Sequence, residues 1–539
     1  MNTQEKNNPV QCLRSAYILP PATDDVSGDF ILPDYMPDIA RVLRVRAAAV
    51  PGGYYAGDTL EYEGRVMWNV LYQSEENTLK SVSYTAAYEG SVHSDAICDD
   101  AVISVCPREE SSACRMLNPR KLSLRAKIMS DIIVSCPVCA DSRITTPHTV
   151  EDEVNLERDT TPLTSTALGF IMSGEQRVSD SFELDPSHSA AAEIITSDAV
   201  VIIPECKCSQ GRCDLRGEVL LDVICEGVDS ALYAVSRKIP FSLTLDMPDA
   251  AVSAAETITR ASVSQLSVTV SKNSYGEDRM LDCDLVCQAE VVCARAVTSD
   301  ITRDVYSTEY ECMGESRSVP LLTLKKTQSI SFSVNSSSVR SEIGAEGASA
   351  ILSTSARAVV SGFALDTERS RLSASGTLEI QLVAQREKSG GAEGAEYFPV
   401  NYTAPFKCEL DGGGISASEK LTCIPVCAVT SAKGRLDSTS VYGDFEISLS
   451  VMTFTGGETE LITGVTLDKT KPASGAGAPI TLYYPAHGER IWDIAKKYHV
   501  TCHAISELNL LGDRKTVDAQ TKVLVIPKSR SKSVYSAII

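Results

Sequence analysis

A strand-like pattern built around a glycine occurs three times in this chain. The copies span residues 60–72, 213–225 and 372–383, and their glycines are Gly64, Gly217 and Gly376. After each glycine, apolar and polar residues alternate, which is the period of a strand with one buried face. The pattern therefore predicts a repeated β-rich unit.

An aromatic residue follows each glycine at a related distance. Tyr88 and Phe241 both come after 24 residues, and Phe406 comes after 30. The six additional residues fit the Gly and Ala-rich insertion at 389–396, which we interpret as an exposed hairpin loop. The shared spacing places the three copies in one register.

Short strands rich in Val, Ile and Thr, separated by Gly, Pro, Asn and Asp turns, favour antiparallel sheets over parallel α/β folds. We predict a mainly β chain of three repeated β-sandwich-like or barrel-like domains, followed by a small β-α-α-β module. A short helical segment is expected near the start of each repeat, at 39–43, 190–195 and 348–352. The predicted bounds are 10–160, 161–325 and 326–460 for the repeats, 467–479 for a flexible linker rich in Pro, Ala, Ser and Gly, and 480–530 for the module.

The chain is acidic, with 50 Lys and Arg against 71 Asp and Glu and a net charge of -21. This charge repels polyphosphate, so nucleic acid is not an expected partner. From residue 480 onward nine basic residues stand against five acidic ones, so the module alone is basic. The polar first fifteen residues and the lack of an apolar run of about 18 predict neither a signal peptide nor a transmembrane segment. We therefore expect a cytoplasmic protein.

The chain has 18 cysteines, which in the absence of an export signal are predicted to be reduced, buried thiols. No histidine lies near the clusters, and most have the same-face spacing of a strand, so packed sheet faces explain them better than zinc. No metal or other cofactor is expected. The clusters are Cys136 with Cys139, Cys206 with Cys208, Cys283 with Cys287 and Cys293, and Cys423 with Cys427.

Motifs for catalysis are missing from the sequence. It has no Gly-x-Ser-x-Gly, His-Glu-x-x-His or P-loop motif and only six histidines, so no catalytic residue is assigned and a non-enzymatic role is predicted. The basic segment 118–121 could be a functional surface, but a tight turn stiffened by Pro119 explains it better.

The module has the pattern of two short helices between strands. Thr501 can cap the second helix, whose apolar face would hold Ala504, Ile505 and Leu508, and Asn509 suits a left-handed helix end. Strands are predicted at 480–484 and 522–527. The first helix is indicated by apolar residues at helical spacing, namely Ile491, Ile494, Ala495 and Tyr498.

This order resembles the LysM family. Its pattern of Gly-Asp-Thr-Leu-Trp, Ile-Ala, Tyr, Asn and a closing Ile-Pro is matched at 488–492, 494–495, Tyr498, Asn509 and 526–527. Two departures fall near loops: Arg490 stands where the family usually has Thr or Ser, and Thr521 where a turn glycine is usual.

The repeats resemble a second family, through residues 32–43, Glu63 with Gly64, 70–72 and 115–122. They are similar to the repeated N-terminal domain of clostridial spore-coat morphogenetic proteins of the SipL type, the counterparts of SpoVID, which also end in a LysM domain. The resemblance is closer in the first repeat than in the other two. It implies a mother-cell protein at the forespore surface that binds the coat ATPase SpoIVA through LysM.

Two site hypotheses follow from these resemblances. In the first, the module binds a coat protein through Ile491, Trp492 and Leu510, supported by Lys496, Lys497 and Arg514, with Trp492 partly exposed as an anchor. The alternative for Trp492 is that it packs against the linker or the tail. In the second, the module binds N-acetylglucosamine of peptidoglycan. The lack of an export signal favours the first. The loops for the second are Gly488, Glu489, Arg490 and Ile491, with Asn509, Leu510, Leu511, Gly512 and Asp513.

Overall fold

The computed structural model describes residues 14–94, 97, 101–137, 156–209, 211–247, 256–387, 395–416, 418–473 and 480–525. The described residues are 77% strand and 3% helix, so the prediction of a mainly β fold is confirmed. None of the sheets in the described ranges closes into a barrel. In each of the three repeated units two separate sheets pack around a shared core, so the strands adopt the β-sandwich alternative.

The first sandwich, called unit 1, has two antiparallel sheets. In one sheet β1 and β2 pair end to end along one side of β7, and β6 pairs with the other side. In the other sheet β4 lies between β3 and β5. The strands are β1 Arg14–Ile18, β2 Ala22–Ile31, β3 Ile39–Ala56, β4 Leu60–Ser74, β5 Leu79–Val92, β6 Val102–Asn118 and β7 Lys121–Pro137.

The next two sandwiches, units 2 and 3, have the same strand order. Their first and fifth strands flank the sixth, while the third lies between the second and fourth. Unit 2 consists of β8 Leu156–Glu183, β9 Ala191–Ser209, β10 Arg212–Gly227, β11 Leu232–Asp246, β12 Glu256–Ser271 and β13 Met280–Ser307. Unit 3 consists of β14 Tyr310–Val339, β15 Ala350–Asp366, β16 Arg371–Glu387, β17 Ala395–Asp411, β18 Lys420–Leu436 and β19 Ser440–Pro472.

The recurring glycines lie in the central strands β4, β10 and β16, each directly opposite the recurring aromatic residue. Gly217 pairs with Phe241 and Gly376 with Phe406, as Gly64 does with Tyr88. A Cβ on Gly217 would lie 2.7 Å from the Phe241 ring. Only glycine leaves room for that ring over the strand, which explains why the two residue types recur together.

Alternating side chains close each sandwich. The inward residues of β4 include Leu60, Val66 and Trp68, and they pack in one core with Leu122 and Ile128 of β7. Burying each large apolar side chain contributes about 1.5 to 3 kcal/mol. In unit 2 the inward residues of β10 and β13 likewise pack in one core.

The three short helices predicted near the repeat starts do not form. Residues 39–43 begin β3, residues 191–195 begin β9, and residues 350–352 begin β15. In each case the pairing with the next strand is interrupted by a register shift close to these residues. A bulge places consecutive residues on one face, which imitates helical spacing in the sequence.

Corresponding positions of the three units meet in two buried clusters. Leu71, Ile224 and Val383 each follow their glycine by seven residues, and they share one cluster. A second cluster joins β7, β13 and β19 through Ile133, Val292 and Met452. Each cluster thus contains equivalent residues from all three units. This is the arrangement expected when three like units pack around an approximate threefold axis.

Strand ends differ from the predicted boundaries. Unit 2 begins at Leu156 and unit 3 at Tyr310, and β19 continues to Pro472. Residues 467–472 are therefore strand rather than linker, because they pair with the start of β14. Residues 474–479 and most of the predicted 389–396 loop lie outside the described residues.

The remaining described residues form the C-terminal module. Within the described part of the chain, no helix is long and apolar enough to cross a membrane. The module consists of β20 Thr481–Tyr483, β21 Glu489–Arg490, α1 Ile491–Tyr498, α2 Cys502–Leu508, β22 Thr516–Val517 and β23 Val523–Val525.

Candidate binding module

The core of the module is built on the apolar face of α1. The four residues predicted to form that face, Ile491, Ile494, Ala495 and Tyr498, are all buried. The short sheet of β20 and β23 completes the module. Further core residues are Val500, Ile505, Leu511, Val517, Val523 and Val525.

The second helix differs from its prediction in two ways. Thr501 caps it by accepting the N–H of Ala504, as expected, but only Ile505 of the helix is buried. Asn509 is not left-handed, with φ at -104°, and the left-handed residue is Leu510 at 52°. The buried face of α2 is therefore narrower than predicted.

Asn509 fastens α2 to the last strand. Its side-chain amide donates to the carbonyls of Ile505 and Leu524, both at 2.8 Å, and its oxygen accepts the N–H of Leu524 at 2.7 Å. Both the nitrogen and the oxygen of the amide are therefore bonded within the module. Asn509, predicted to lie in a glycan-binding loop, has a structural role.

Trp492 is buried rather than partly exposed, so that prediction is wrong. Its side chain is only 8% exposed, and it meets the ring of Tyr306 edge-on at a centroid distance of 4.9 Å. Its indole N–H donates to Asp304 at 2.9 Å. Both partners belong to β13, so unit 2 covers the face of α1 on which the tryptophan lies.

A charged contact lies beside the tryptophan. The Lys496 ammonium is 2.7 Å from both carboxylate oxygens of Asp304. Burial acts to raise the pKa of Asp304, but the hydrogen bonds from Lys496 and Trp492 outweigh it and the pKa is lowered. The carboxylate is therefore held in its charged form at neutral pH.

Three further contacts attach the module to unit 2. The Tyr306 hydroxyl donates to the carbonyl of Val500 at 2.6 Å, and burial raises the pKa of this tyrosine. Arg490 donates to Asp159 of β8 at 2.8 Å. His499 Nδ1 lies 2.9 Å from the carbonyl oxygen of Ser307. The predicted linker would let the module move freely, whereas these contacts fix it on β8 and β13.

The other predicted site residues have different environments. Leu510 is 93% exposed, while Leu511 is buried in the module core. Lys497 lies over the Tyr483 ring at 4.9 Å. The structure thus separates the proposed anchors, since Ile491 and Trp492 are buried and Leu510 is not. The exposed members are Gly488, Arg490, Lys496, Lys497, Leu510, Gly512, Asp513 and Arg514, with Glu489 partly exposed.

The two predicted glycan loops lie side by side. Strand β21 pairs with β22, and the N–H of Ile491 donates to the carbonyl of Lys515 at 3.0 Å. Each loop turns at a glycine in the left-handed region, Gly488 at φ 73° and Gly512 at φ 59°. The loops therefore border one surface, with the docked Arg490 at its edge.

Segment 118–121 is a turn between β6 and β7. Arg120 donates to the carbonyls of Pro33 and Met36 and pairs with Asp38 at 2.6 Å. In unit 2 the residue before β13, Arg279, makes the same kind of contact with the loop between β8 and β9. This arginine thus holds a neighbouring loop in both units.

Sequence reasoning missed the residues that receive the module. Asp159, Asp304 and Tyr306 lie in long alternating strands that have no motif of their own. Their role depends on contacts with the module, which is distant in the sequence, and no local pattern in β8 or β13 indicates those contacts.

The fold and the candidate site define a class: a mainly β protein of three like-ordered sandwich units with a small α/β module docked on the second. A family model described as SipL, SPOCS domain, matches residues 190–271, the stretch that contains β9 to β12. No curated protein and no solved structure matches the chain. The family match supports a SipL-type sporulation protein. It falls in unit 2, whereas the sequence resemblance is closest in unit 1.

Proposed function

We propose that this chain is a non-enzymatic scaffold in spore-coat assembly, working in the mother-cell cytoplasm at the forespore surface. The SPOCS match supports a sporulation role, and the three units of one strand order support their origin as copies of one domain. Two buried clusters join the units, so they present one body of fixed shape on which coat proteins can assemble.

The proposed partner is a SpoIVA-type coat ATPase, bound through a LysM-type module. The observation that carries this proposal is Leu510, a large apolar side chain that is 93% exposed and held at a φ of 52°. The left-handed backbone at Leu510 ends α2, where the N–H of Leu511 donates to the carbonyl of Ser506 at 2.9 Å, and it directs the leucine into solvent. An exposed apolar residue on a basic module suits an acidic surface with an apolar pocket.

The contact surface is narrower than the sequence predicts. Leu510, Lys497 and Arg514 are exposed. Ile491 is buried in the core of the module, and Trp492 is buried against β13 of unit 2. The first three therefore form the proposed binding set in the docked arrangement. Trp492 would contribute only after the module leaves unit 2.

Binding of the purified full chain to the coat ATPase, measured by surface plasmon resonance, tests this proposal. We expect Leu510→Glu to weaken binding by about thirtyfold, the effect of losing about 2 kcal/mol at an anchor. Leu508→Glu is the matched control, since Leu508 is a 43% exposed leucine of the same module. Equal effects of the two substitutions, or none from either, would contradict the proposed surface.

A second candidate function is recognition of N-acetylglucosamine in peptidoglycan. The adjacent loops around Gly488 and Gly512 favour it, because they border one exposed surface. Calorimetry with chitin oligosaccharides separates the two functions. Tight binding that is lost in Asp513→Ala, together with no binding of the ATPase, would replace the scaffold proposal by this one.

A further inference from the structure

Four thiols converge in unit 2. Cys208 and Cys213 are directly opposite each other in the β9–β10 hairpin, and the Cys213 sulfur is 3.3 Å from those of both Cys206 and Cys208. All three sulfurs lie within 4.8 Å of one another. The fourth thiol, Cys293, comes from β13 in the facing sheet and interacts with the thiol of Cys208.

We propose that Cys206, Cys208, Cys213 and Cys293 form a structural zinc site. Zinc is bound tetrahedrally by four thiolates at about 2.3 Å, which places the sulfurs about 3.8 Å apart. The sulfurs of Cys206, Cys208 and Cys213 already lie within 4.8 Å of one another, close to this spacing, and the Cys293 side chain would turn toward them from β13 to complete the set. Binding breaks four S–H bonds, forms four Zn–S bonds and releases four protons to solvent, with no change in oxidation state.

The shared strand order shows that these cysteines are not required by the fold. The position of Cys213, at the start of the central strand, is held by Leu60 in unit 1 and Leu372 in unit 3. The position of Cys293 in the last strand corresponds to Val134 in unit 1. In unit 3 the position of Cys293 is held by Thr453. Residues other than cysteine therefore fill these places elsewhere, and a thiol cluster in unit 2 calls for a different reason.

The environment of the cluster suits an ion. Cys213 and Cys293 are buried, whereas Cys206 and Cys208 are partly exposed, so an ion can reach the sulfurs from solvent.

This site differs from the sequence interpretation, in which Cys206 with Cys208 was one pair among several packed thiols. The spacing of that pair does not reveal the other two ligands. Cys213 joins it through the hairpin and Cys293 through the packing of one sheet on the other.

Metal content of the purified full chain, measured by mass spectrometry after dialysis against zinc and then metal-free buffer with a reductant, tests the proposal. We expect about one zinc per chain, and a cobalt-loaded sample with the absorption of a tetrahedral thiolate site. Cys206→Ser and Cys293→Ser should each reduce retained zinc by about tenfold or more. Cys225→Ser is the control, because Cys225 is a buried thiol of β10 outside the cluster.

Circular dichroism of each variant shows whether it is folded, and Cys206→Ser is the milder change because Cys206 is partly exposed. Zinc retained in both ligand variants would overturn the site. So would the absence of bound zinc in the wild-type chain, an equal loss in Cys225→Ser, or a disulfide between Cys208 and Cys213 in protein kept with reductant.

Discussion

The indole N–H of Trp492 in α1 donates to the carboxylate of Asp304 in β13 at 2.9 Å. This bond is one of several that join the basic module to unit 2, and Lys496 pairs with the same carboxylate. Trp492, the anchor proposed from the sequence, is therefore already bonded to unit 2. Docking of the module on unit 2 and binding of a partner by the module need separate tests.

Replacing Asp304 by alanine should weaken docking of the module by about 1 to 2 kcal/mol. It removes two charge-assisted hydrogen bonds, discounted for the partial exposure of the site. Trp492 emission should shift to the red as the indole meets water, over a constant signal from Trp68, which is buried in unit 1. Asp300→Ala, an exposed aspartate of the same strand, should leave the emission unchanged. Identical spectra for all three proteins would show that Asp304 does not hold the module.

Docking of the module on unit 2 should also depend on pH. The folded pKa of Asp304 lies below its ordinary value of 3.8, so its stabilising effect is complete above that value and is lost as the pH falls through the lowered pKa. Emission from Trp492 should thus be constant between about pH 8 and about pH 5 and change only below about pH 4. The Asp304→Asn variant should lack this transition. A midpoint near neutral pH would point to another group.

Alanine at Gly217 should destabilise unit 2 by about 1 to 3 kcal/mol through overpacking. Its Cβ would lie 2.5 Å from the carbonyl oxygen of Ile202 and 2.7 Å from the Phe241 ring. Gly362→Ala is the control, since nothing lies within 4 Å of a Cβ there. Urea midpoints of the two variants check the difference. If both variants unfold at the wild-type midpoint, close packing does not explain the recurring glycines.

Removing Asp198 should cost about 3 to 5 kcal/mol, because it leaves a buried arginine without its counter-charge. Asp198 of β9 pairs with Arg44 of unit 1, whose side chain is only 5% exposed, and with Arg46 at 3.3 Å. Burial acts to raise the pKa of Asp198, but the two arginines outweigh it and the pKa is lowered. Thermal unfolding of Asp198→Ala measures the loss.

The matched test is a double variant, Asp198→Ala with Arg44→Met, which removes the uncompensated charge as well. It should be more stable than Asp198→Ala alone, since part of the cost comes from stranding Arg44. If the double variant is less stable than the single one by the full effect of Arg44→Met, the two residues do not interact.

Local patterns in the sequence determined the strands of the sandwiches, the glycine and aromatic register, and the buried face of α1. Each depends on residues a few positions apart, or on one cross-strand neighbour at a fixed distance such as Phe241 opposite Gly217. The same locality explains the mistaken helix at 39–43. A bulge and a helix both place consecutive residues on one face, and only pairing with β4 distinguishes them.

Contacts between distant elements were decided by the tertiary structure alone. Alternation in β13 shows which side chains point inward, but not that Tyr306 near its end would meet Trp492. Spacing in β9 shows that Cys206 and Cys208 share a face, but not that Cys293 lies across from them. The physical reason is that a strand fixes the direction of its side chains through its own backbone, whereas the element that covers them is set by how whole sheets and modules pack.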